Sequence, residues 1–500
     1  MAVFVFLCYD NIMSNIEELK KVRLEKLKNL IKAGINPYPA EVLRTHTNKE
    51  ALDDFKKLAN KKITLVGRLR SIREHGGSTF CHIEDGLAQI QIYLRKDKVG
   101  EKNYKLFLEN LDIGDFIEVA GTLFLTKKGE KTLDVSKWRI ISKSLLPLPS
   151  EWYGFEDVEE RYRKRYLDIL MNPETKQMFE KKAKFWESAR QFLIKKGFLE
   201  VETPVLETTT GGADAKPFVT HHNALDIDVY LRISMGELWQ KKLMVAGFEK
   251  TFEIGRQFRN EGMDDEHLQD YTQMEFYWGY ADYEKGMKLV EELYKYVVKE
   301  TFGTMRFKIR GFDINLGKKW EKYDYRETIK KYSGIDISNA DLSVIEKKLE
   351  SLGIEYDKKG FNLIRAIDDL WKYCRKKIAG PGFLINLPVA ISPLAKRLES
   401  NPNLVQRFQV IVAGAELGNG YSELNDPIDQ AERFKEQQKL RDQGDEEAQM
   451  YDSDFVEALE YGMPPTCGFG MSERVFSVLM DKSVRECQIF PLMRPKEKND

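Results

Sequence analysis

Cysteine is scarce in this chain. Five occur in 500 residues, at 8, 81, 374, 467 and 487, odd in number and with no C-x-x-C pair. Neither a zinc site nor a disulfide framework is expected from such a set, and a reducing, cytosolic compartment fits it best. Net charge is nearly absent too. Lys and Arg number 79 against 80 Asp and Glu, a formal balance of −1. That balance neither supports nor excludes an RNA partner; a nucleic-acid surface would have to gather its positive charge locally. No apolar run is long enough to span a bilayer. The first 12 residues hold a short apolar stretch without a basic flank or a small-residue cleavage site. They are expected to be a disordered extension or the product of an upstream start codon, not a targeting signal. Internal repeats and low-complexity tracts are also lacking.

What is present suffices for two or three domains, since 42% of the residues are hydrophobic. Residues 14–33 read as a helix, opened by a Ser14/Glu17 capping box and closed by Gly34 and Pro37. One face is basic, with Lys20, Lys21, Arg23, Lys26, Lys28 and Lys32. A solvated face and an extra grip on RNA phosphates are both open readings of it. Between 62 and 145, five short alternating runs are separated by glycine turns. Strands at this spacing suggest a small barrel of the OB type. Leu146-Pro147-Leu148-Pro149 reads as a stiff linker. Beyond it long helices and strands mix, with Asn172 and Pro173 opening a helix that Gly197 closes. The expected organisation is α+β: a basic helix in 1–36, an OB-fold in 37–149, and a larger domain in 150–500 with a helical insertion at about 310–380.

Three stretches carry chemistry. In 252–262 and 267–280, strand alternation puts Tyr271, Gln273, Glu275 and Tyr277 on one face and Met274, Phe276 and Trp278 on the other. The second set is a core face; the first reads as the floor of a site. An antiparallel pairing joined by the loop 262–270 would add Arg259 and Glu261 to that floor. In 415–426, Glu416 and Glu423 are seven residues apart, which on a straight strand puts them on opposite faces. Gly418 and Gly420 offer a bulge that resets the register, so that both carboxylates could reach one Mg²⁺; a turn-rich hairpin with exposed acids stays open. In 464–479 a glycine-containing strand runs into a helix near Ser472, whose start places Arg474 to hold a terminal phosphate.

Together these stretches resemble the class II aminoacyl-tRNA synthetases, and the lysine family among them. GFLEVETPVL (197–206) looks like motif 1, which in the family builds the dimer interface. FRNEG through HLQDYTQME (258–275) looks like motif 2, and GFGMSER (468–474) like motif 3. TGGADAKPFVTHHNALDIDVYLRIS (210–234), SPLAKR (392–397) and NGYSELNDPIDQAERF (419–434) resemble lysine-specific stretches, and the resemblance runs over about 14–496. It implies a lysine–tRNA ligase that uses ATP and Mg²⁺, binds lysine and its tRNA, forms a homodimer, works in the cytoplasm and avoids membranes. It implies catalytic roles for Arg259 and Arg474. ATP contacts fall on Arg259, Glu261, His267, Tyr271, Glu416 and Arg474. The lysine pocket falls on Glu237, Arg259, Glu275, Tyr277, Asn419, Tyr421 and Glu423, and the metal ligands on Glu416 and Glu423. In the barrel, Arg73, Phe80, Gln91 and Glu130 match anticodon contacts.

The chain departs from the family pattern in three places. Glu266 stands where an arginine is usual, SMGEL (234–238) is one residue longer, and motif 3 is one residue shorter with SER in place of I-D-R. Rival readings are a synthetase for aspartate or asparagine, a paralogue that transfers lysine to a protein, and a non-catalytic RNA-binding derivative. Three carboxylates facing a side-chain pocket argue against the first, and the anticodon barrel argues against the second.

Overall fold

The structure, a computed structural model, describes residues 2–149, 157–356, 362–444 and 447–496, with side chains from residue 16 onward. It divides into two compact units, 1–158 and 159–500. Residue 150 at the expected domain boundary and residues 357–361 of the expected insertion lie outside the described residues.

In the first unit, β1 (Lys62–His75), β2 (Ser78–Glu84), β3 (Gln89–Arg95), β4 (Phe116–Leu125) and β5 (Lys131–Ser142) close a barrel in the order β1-β2-β3-β5-β4. Alternation builds its core: Ile63, Leu65 and Leu69 of β1 point inward, against Ile83, Ile92, Val119 and Leu133. Opposite Ala120 and Gly121 of β4, the strand β5 carries one extra residue, Ser136, as a bulge. A Cβ at Gly121 would lie 2.2 Å from the backbone oxygen of Asp134, so only glycine fits there. The short helices α2 (Asn48–Asp53), α3 (Phe55–Leu58), α4 (Lys96–Val99) and α5 (Glu101–Asn110) cover the barrel.

The first helix differs from its expected form. It runs as α1 (Ala2–Lys32), so the extension expected to be disordered is helical from residue 2, and Ser14 and Glu17 lie inside the helix instead of capping it. It belongs with the barrel rather than standing as a separate segment, because Leu30 is part of the barrel core. Its basic residues are not all solvated either. Arg23 donates to the backbone oxygens of Ser144, Leu146 and Ile113, and Lys26 sits 2.6 Å from Asp112. Leu19, Val22 and Ile31 are the exposed large apolar side chains of the helix.

The second unit is built on an eight-stranded sheet. Its strands are β6 (Leu199–Glu200), β10 (Lys250–Phe258), β11 (Asp270–Gly279), β14 (Glu321–Asp324), β15 (Gly382–Ile385), β18 (Arg407–Val412), β19 (Ala415–Ser422) and β20 (Thr466–Ser472), in the order β14-β15-β18-β19-β20-β11-β10-β6. Pairings are antiparallel except β14 with β15 and β10 with β6. Smaller sheets pair β7 (Leu206–Glu207) and β8 (Val219–His222) with β9 (Ile227–Leu231), β12 (Arg306–Ile309) with β13 (Phe312–Asn315), and β16 (Arg397–Leu398) with β17 (Asn401–Val405).

One face of the large sheet is aromatic. Phe276, Phe408 and Phe469 pack there, with Phe408 and Phe469 stacked at 5.9 Å, under α8 (Pro173–Lys195) and α10 (Tyr283–Phe302). Helices α6 (Val158–Arg163) and α7 (Arg165–Met171) precede α8, and α9 (Glu237–Val245) follows β9. The stretch expected as a helical insertion holds α11 (Tyr325–Ser333), α12 (Leu342–Ser351) and α13 (Leu363–Arg375) around a small core of their own. It is not separate, however: β14 is an edge strand of the main sheet, and Ile309 and Ile314 of the β12–β13 hairpin enter the main core. The chain ends with α14 (Pro427–Asp442), α15 (Ser453–Glu460) and α16 (Arg474–Leu479). Among the described residues no helix is long and apolar enough to cross a membrane.

Candidate active site

The face of the sheet opposite the aromatic core lines a cavity of about 390 Å³. Its floor follows from three adjacent central strands. In β11, Glu275 and Tyr277 lie opposite Gly470 and Gly468 of β20, and these same glycines lie opposite Asn419 and Tyr421 of β19. The middle strand therefore has hydrogen where its neighbours have large side chains. A Cβ at Gly468 would meet Glu423 Oε1 at 2.1 Å and Tyr277 at 2.6 Å. The glycines of the 468–474 stretch make room for the pocket's side chains.

β19 reaches this floor through a bulge. Val410 pairs with Gly418 and Ile411 with Glu416, so Leu417 is left over and turns into the core, where its carbonyl accepts from Tyr294. The extra residue puts Glu416, Asn419, Tyr421 and Glu423 on the same face, and all four line the cavity. Both Glu416 and Glu423 therefore face the same cavity. Glu416 takes a hydrogen bond from Trp371 Nε1 at 2.5 Å, and Glu423 is engaged elsewhere. Among the described residues no cluster of three His, Cys, Asp or Glu is placed to hold a metal alone. Glu416, 4.0 Å from Arg375 Nε, suits Mg²⁺ that arrives on polyphosphate, because that ion takes most of its oxygens from phosphates and water.

One end of the cavity is acidic and buried. Glu237, in the first turn of α9, Glu275 and Glu423 are all buried. Glu275 accepts from Met235 N at 3.1 Å, Gln273 Nε2 at 2.6 Å and Tyr277 Oη at 3.1 Å. Tyr421 donates its hydroxyl to Glu237. Lys241, one helical turn after Glu237, completes the group: its Nζ lies 2.7 Å from Glu237 and 2.6 Å from Glu423. Burial pushes the Glu275 and Glu423 carboxyls up, and the neighbouring carboxylates add to it; Lys241 opposes the shift at Glu423. Burial would lower the Lys241 ammonium, but Glu237 and Glu423 outweigh that and hold it above its usual value. Two of the three carboxyls, Glu237 and Glu423, thus share one internal ammonium.

The other end is basic. Arg259, just past the end of β10, donates to Ile233 O at 3.3 Å and lies 5.8 Å from the Tyr271 ring. Tyr271 accepts from Gln257 Nε2 at 2.5 Å. Arg474, at the start of the six-residue α16, is ion-paired with Glu266. Glu261 and His267 line the cavity from the exposed loop between β10 and β11, where His267 Nδ1 is 2.8 Å from Asp264. Sequence reasoning missed Lys241, because a Lys four residues after a Glu on a helix reads as a surface pair. It also missed Arg407, which fixes Asn419 Oδ1 at 2.8 Å, and the residues Arg310, Trp371 and Arg375 brought in from the supposed insertion.

On the barrel, Arg73 pairs in register with Phe80, which stacks on Tyr93 at 4.3 Å; Phe124 lies 6.1 Å from Tyr93. Gln91 is buried, donating to Glu130 at 2.8 Å and accepting from Thr132 at 2.8 Å, while Glu130 also meets His82 at 3.0 Å. Tyr93 was legible, being two residues after Gln91 on the same face.

A two-faced antiparallel sheet with this cleft, in a chain that also carries a five-stranded barrel, defines a class II tRNA synthetase. The family described as tRNA synthetases class II (D, K and N) matches residues 157–494, and an OB-fold nucleic acid binding domain matches 63–141. The lysine–tRNA ligase of Carboxydothermus hydrogenoformans is 45% identical over 487 residues, 96% of this chain and 99% of that protein. Those of a Thermoanaerobacter strain and of Thermotoga maritima are 46% and 43% identical, each covering at least 96% of this chain. The chain belongs to the lysine–tRNA ligase family.

Replacing Lys241 by Met should leave two buried carboxylates unpaired and destabilise the catalytic unit by about 3–5 kcal/mol. Adding Glu423→Gln should recover part of that loss. Urea unfolding of the full chain is the measurement; a loss below about 1 kcal/mol for Lys241→Met alone would mean the ion triad contributes nothing.

Proposed function

We propose that this chain joins lysine to the 3′ end of lysine tRNA in two steps, using ATP and Mg²⁺. The observation that carries the reading is one cavity with a closed carboxylate end and a guanidinium end, and Arg259 lining it. A lysine ammonium is a compact, strongly hydrated charge, and a site that strips its water must replace it with oxygens. Glu237, Glu275, Tyr277, Asn419, Tyr421 and Glu423 supply them. With Lys241 already present, an incoming ammonium gives two cations to three carboxyls. Glu275, pushed up by burial and by Glu237, is suited to keep a proton. An uncharged isostere leaves buried carboxylates without a partner and is rejected for that reason.

In the first step the lysine carboxylate attacks the α-phosphorus of ATP. The bond to the bridging oxygen breaks, and pyrophosphate leaves with lysyl-adenylate formed. The attacking group is already ionised, so no side chain has to remove a proton. Arg259 neutralises the carboxylate and the α-phosphate, Tyr271 stacks on adenine, Glu261 and His267 complete the ATP contacts, and Arg474 faces the γ-phosphate. Mg²⁺ held by Glu416 and Glu423 would spread phosphate charge. In the second step a terminal ribose hydroxyl of the tRNA attacks the carbonyl carbon and AMP departs. Rate comes from positioning and preorganised charge. Arg73, Phe80, Gln91 and Glu130 read the anticodon, with Tyr93 extending the stacking platform. A homodimer forms through 197–206, where Leu199, Val205 and Leu206 are exposed. Cys81, Cys374, Cys467 and Cys487 are free and buried, which suits the cytoplasm.

Lysine-dependent ATP–pyrophosphate exchange with Mg²⁺ tests the reaction, run beside aspartate, asparagine and no amino acid. Exchange with lysine alone is expected; exchange with aspartate or asparagine, or with none of the three, would sink the reading. Phe80→Ala should weaken tRNA binding by about 1–3 kcal/mol while leaving exchange unchanged, and equal loss of both would take Phe80 out of anticodon reading. Light scattering on the purified chain should give twice the 58.2 kDa chain mass; a monomer at micromolar concentration rules the dimer out.

A further inference from the structure

Glu266 sits inside a ring of arginines. Its Oε1 is 2.7 Å from Arg310 Nη2, its Oε2 is 3.7 Å from Arg375 Nη2, and Oε2 also pairs with Arg474 Nη2. The three arginines come from distant parts of the chain: the β12–β13 turn, the last residue of α13 and the first residue of α16. One carboxylate does not satisfy them. The Nε groups of Arg375 and Arg474 are buried and have no hydrogen-bond acceptor, and the next carboxylate, Glu416, is 4.0 Å from Arg375 Nε. Burial and the two neighbouring guanidiniums press Arg474 below its usual value, against the pull of Glu266 and Glu416. Three positive charges in a cleft, short of both charge and acceptors, describe a site for a polyanion larger than a carboxylate.

We propose that Glu266 is an internal anion that holds the place of a polyphosphate, and that Arg310 and Arg375 join Arg474 as phosphate-binding residues once it is displaced. The inference rests on the reading that ATP enters this cavity. Pyrophosphate groups present several charged oxygens in fork-like pairs, the geometry that guanidinium recognises. Glu266 and a phosphate on the same Arg474 would be like charges in contact, so one must leave. The loop favours the departure of Glu266. Residues 261–265 are exposed, and the backbone N–H of Glu266 is held by the side chain of Asp264, within the same loop. Arg310 and Arg375 do not themselves line the cavity; Glu266 stands between them and it. AMP, without β- and γ-phosphates, does not reach the ring. Return of Glu266 to the arginines after the first step then competes with pyrophosphate and promotes its release.

The test is calorimetric binding of inorganic pyrophosphate, ATP and AMP to the full-length chain and to Glu266→Gln and Arg310→Ala. Glutamine keeps the shape and removes the competing charge. Pyrophosphate and ATP should bind Glu266→Gln about tenfold more tightly, as expected when a blocked state that outweighs the open one is abolished. Arg310→Ala, at an exposed side chain, should weaken both about fivefold or more, and AMP should bind all three proteins alike. Weaker or unchanged pyrophosphate binding by Glu266→Gln overturns the proposal, because a strut that only positions Arg474 would give that result; so does unchanged binding by Arg310→Ala. A Glu266→Gln chain that does not fold leaves Arg310→Ala to decide. A wild-type chain that binds neither ATP nor pyrophosphate overturns the functional reading itself, and this inference with it.

Discussion

A β-strand has two faces, and the central sheet of the catalytic unit gives one to apolar, largely aromatic packing and the other to polar and charged side chains. Met274, Phe276 and Phe469 on one side exclude water and fix the strands. Glu275, Tyr277, Asn419 and Tyr421 on the other inherit that rigidity. Buried carboxylates are costly unless they are held by donors, so they need a support that does not relax. The stacked phenyl rings beneath them provide it. The glycines of β20 complete the arrangement by removing bulk where the two flanking strands converge.

The acidic and basic ends of the cavity solve their charge problem in the same way, with an internal partner of opposite sign. Lys241 sits among the carboxylates and Glu266 among the arginines. Without them, each cluster of like charges would repel itself within a poorly solvated cleft. The two partners differ in accessibility. Lys241 is fully buried on a helix, whereas Glu266 is half-buried at the end of an exposed stretch of loop, residues 261–265.

Much of this was legible in the residues. The alternation in 271–277 separated core from site, and the short runs of 62–145 carried the barrel, because period-two patterning survives whenever one face is buried. The glycines near 418 pointed to a bulge, although the residue that is left over is Leu417. Other features were hidden for physical reasons. The inward turn of Arg23 could not be told from solvation, since a long basic side chain serves both. Arg310 and Arg375 arrive at the site through tertiary folding of a stretch without any motif. The structured start of α1 contradicts the expected disorder, since helix continues through the apolar residues at its beginning.

The bulge at Leu417 means that the site's residues are addressed by count as much as by identity. Between Glu416 and Asn419 the strand keeps a parity, and one surplus residue decides which side of the sheet the following side chains meet. Removing a residue there would leave every amino acid of the downstream 419–423 stretch unchanged, yet would aim its polar side chains at Phe408 and Phe469 and its small ones at the cleft. Length at this point in the chain is therefore a functional quantity in itself, and substitution and indel tolerance should be sharply different over those few residues.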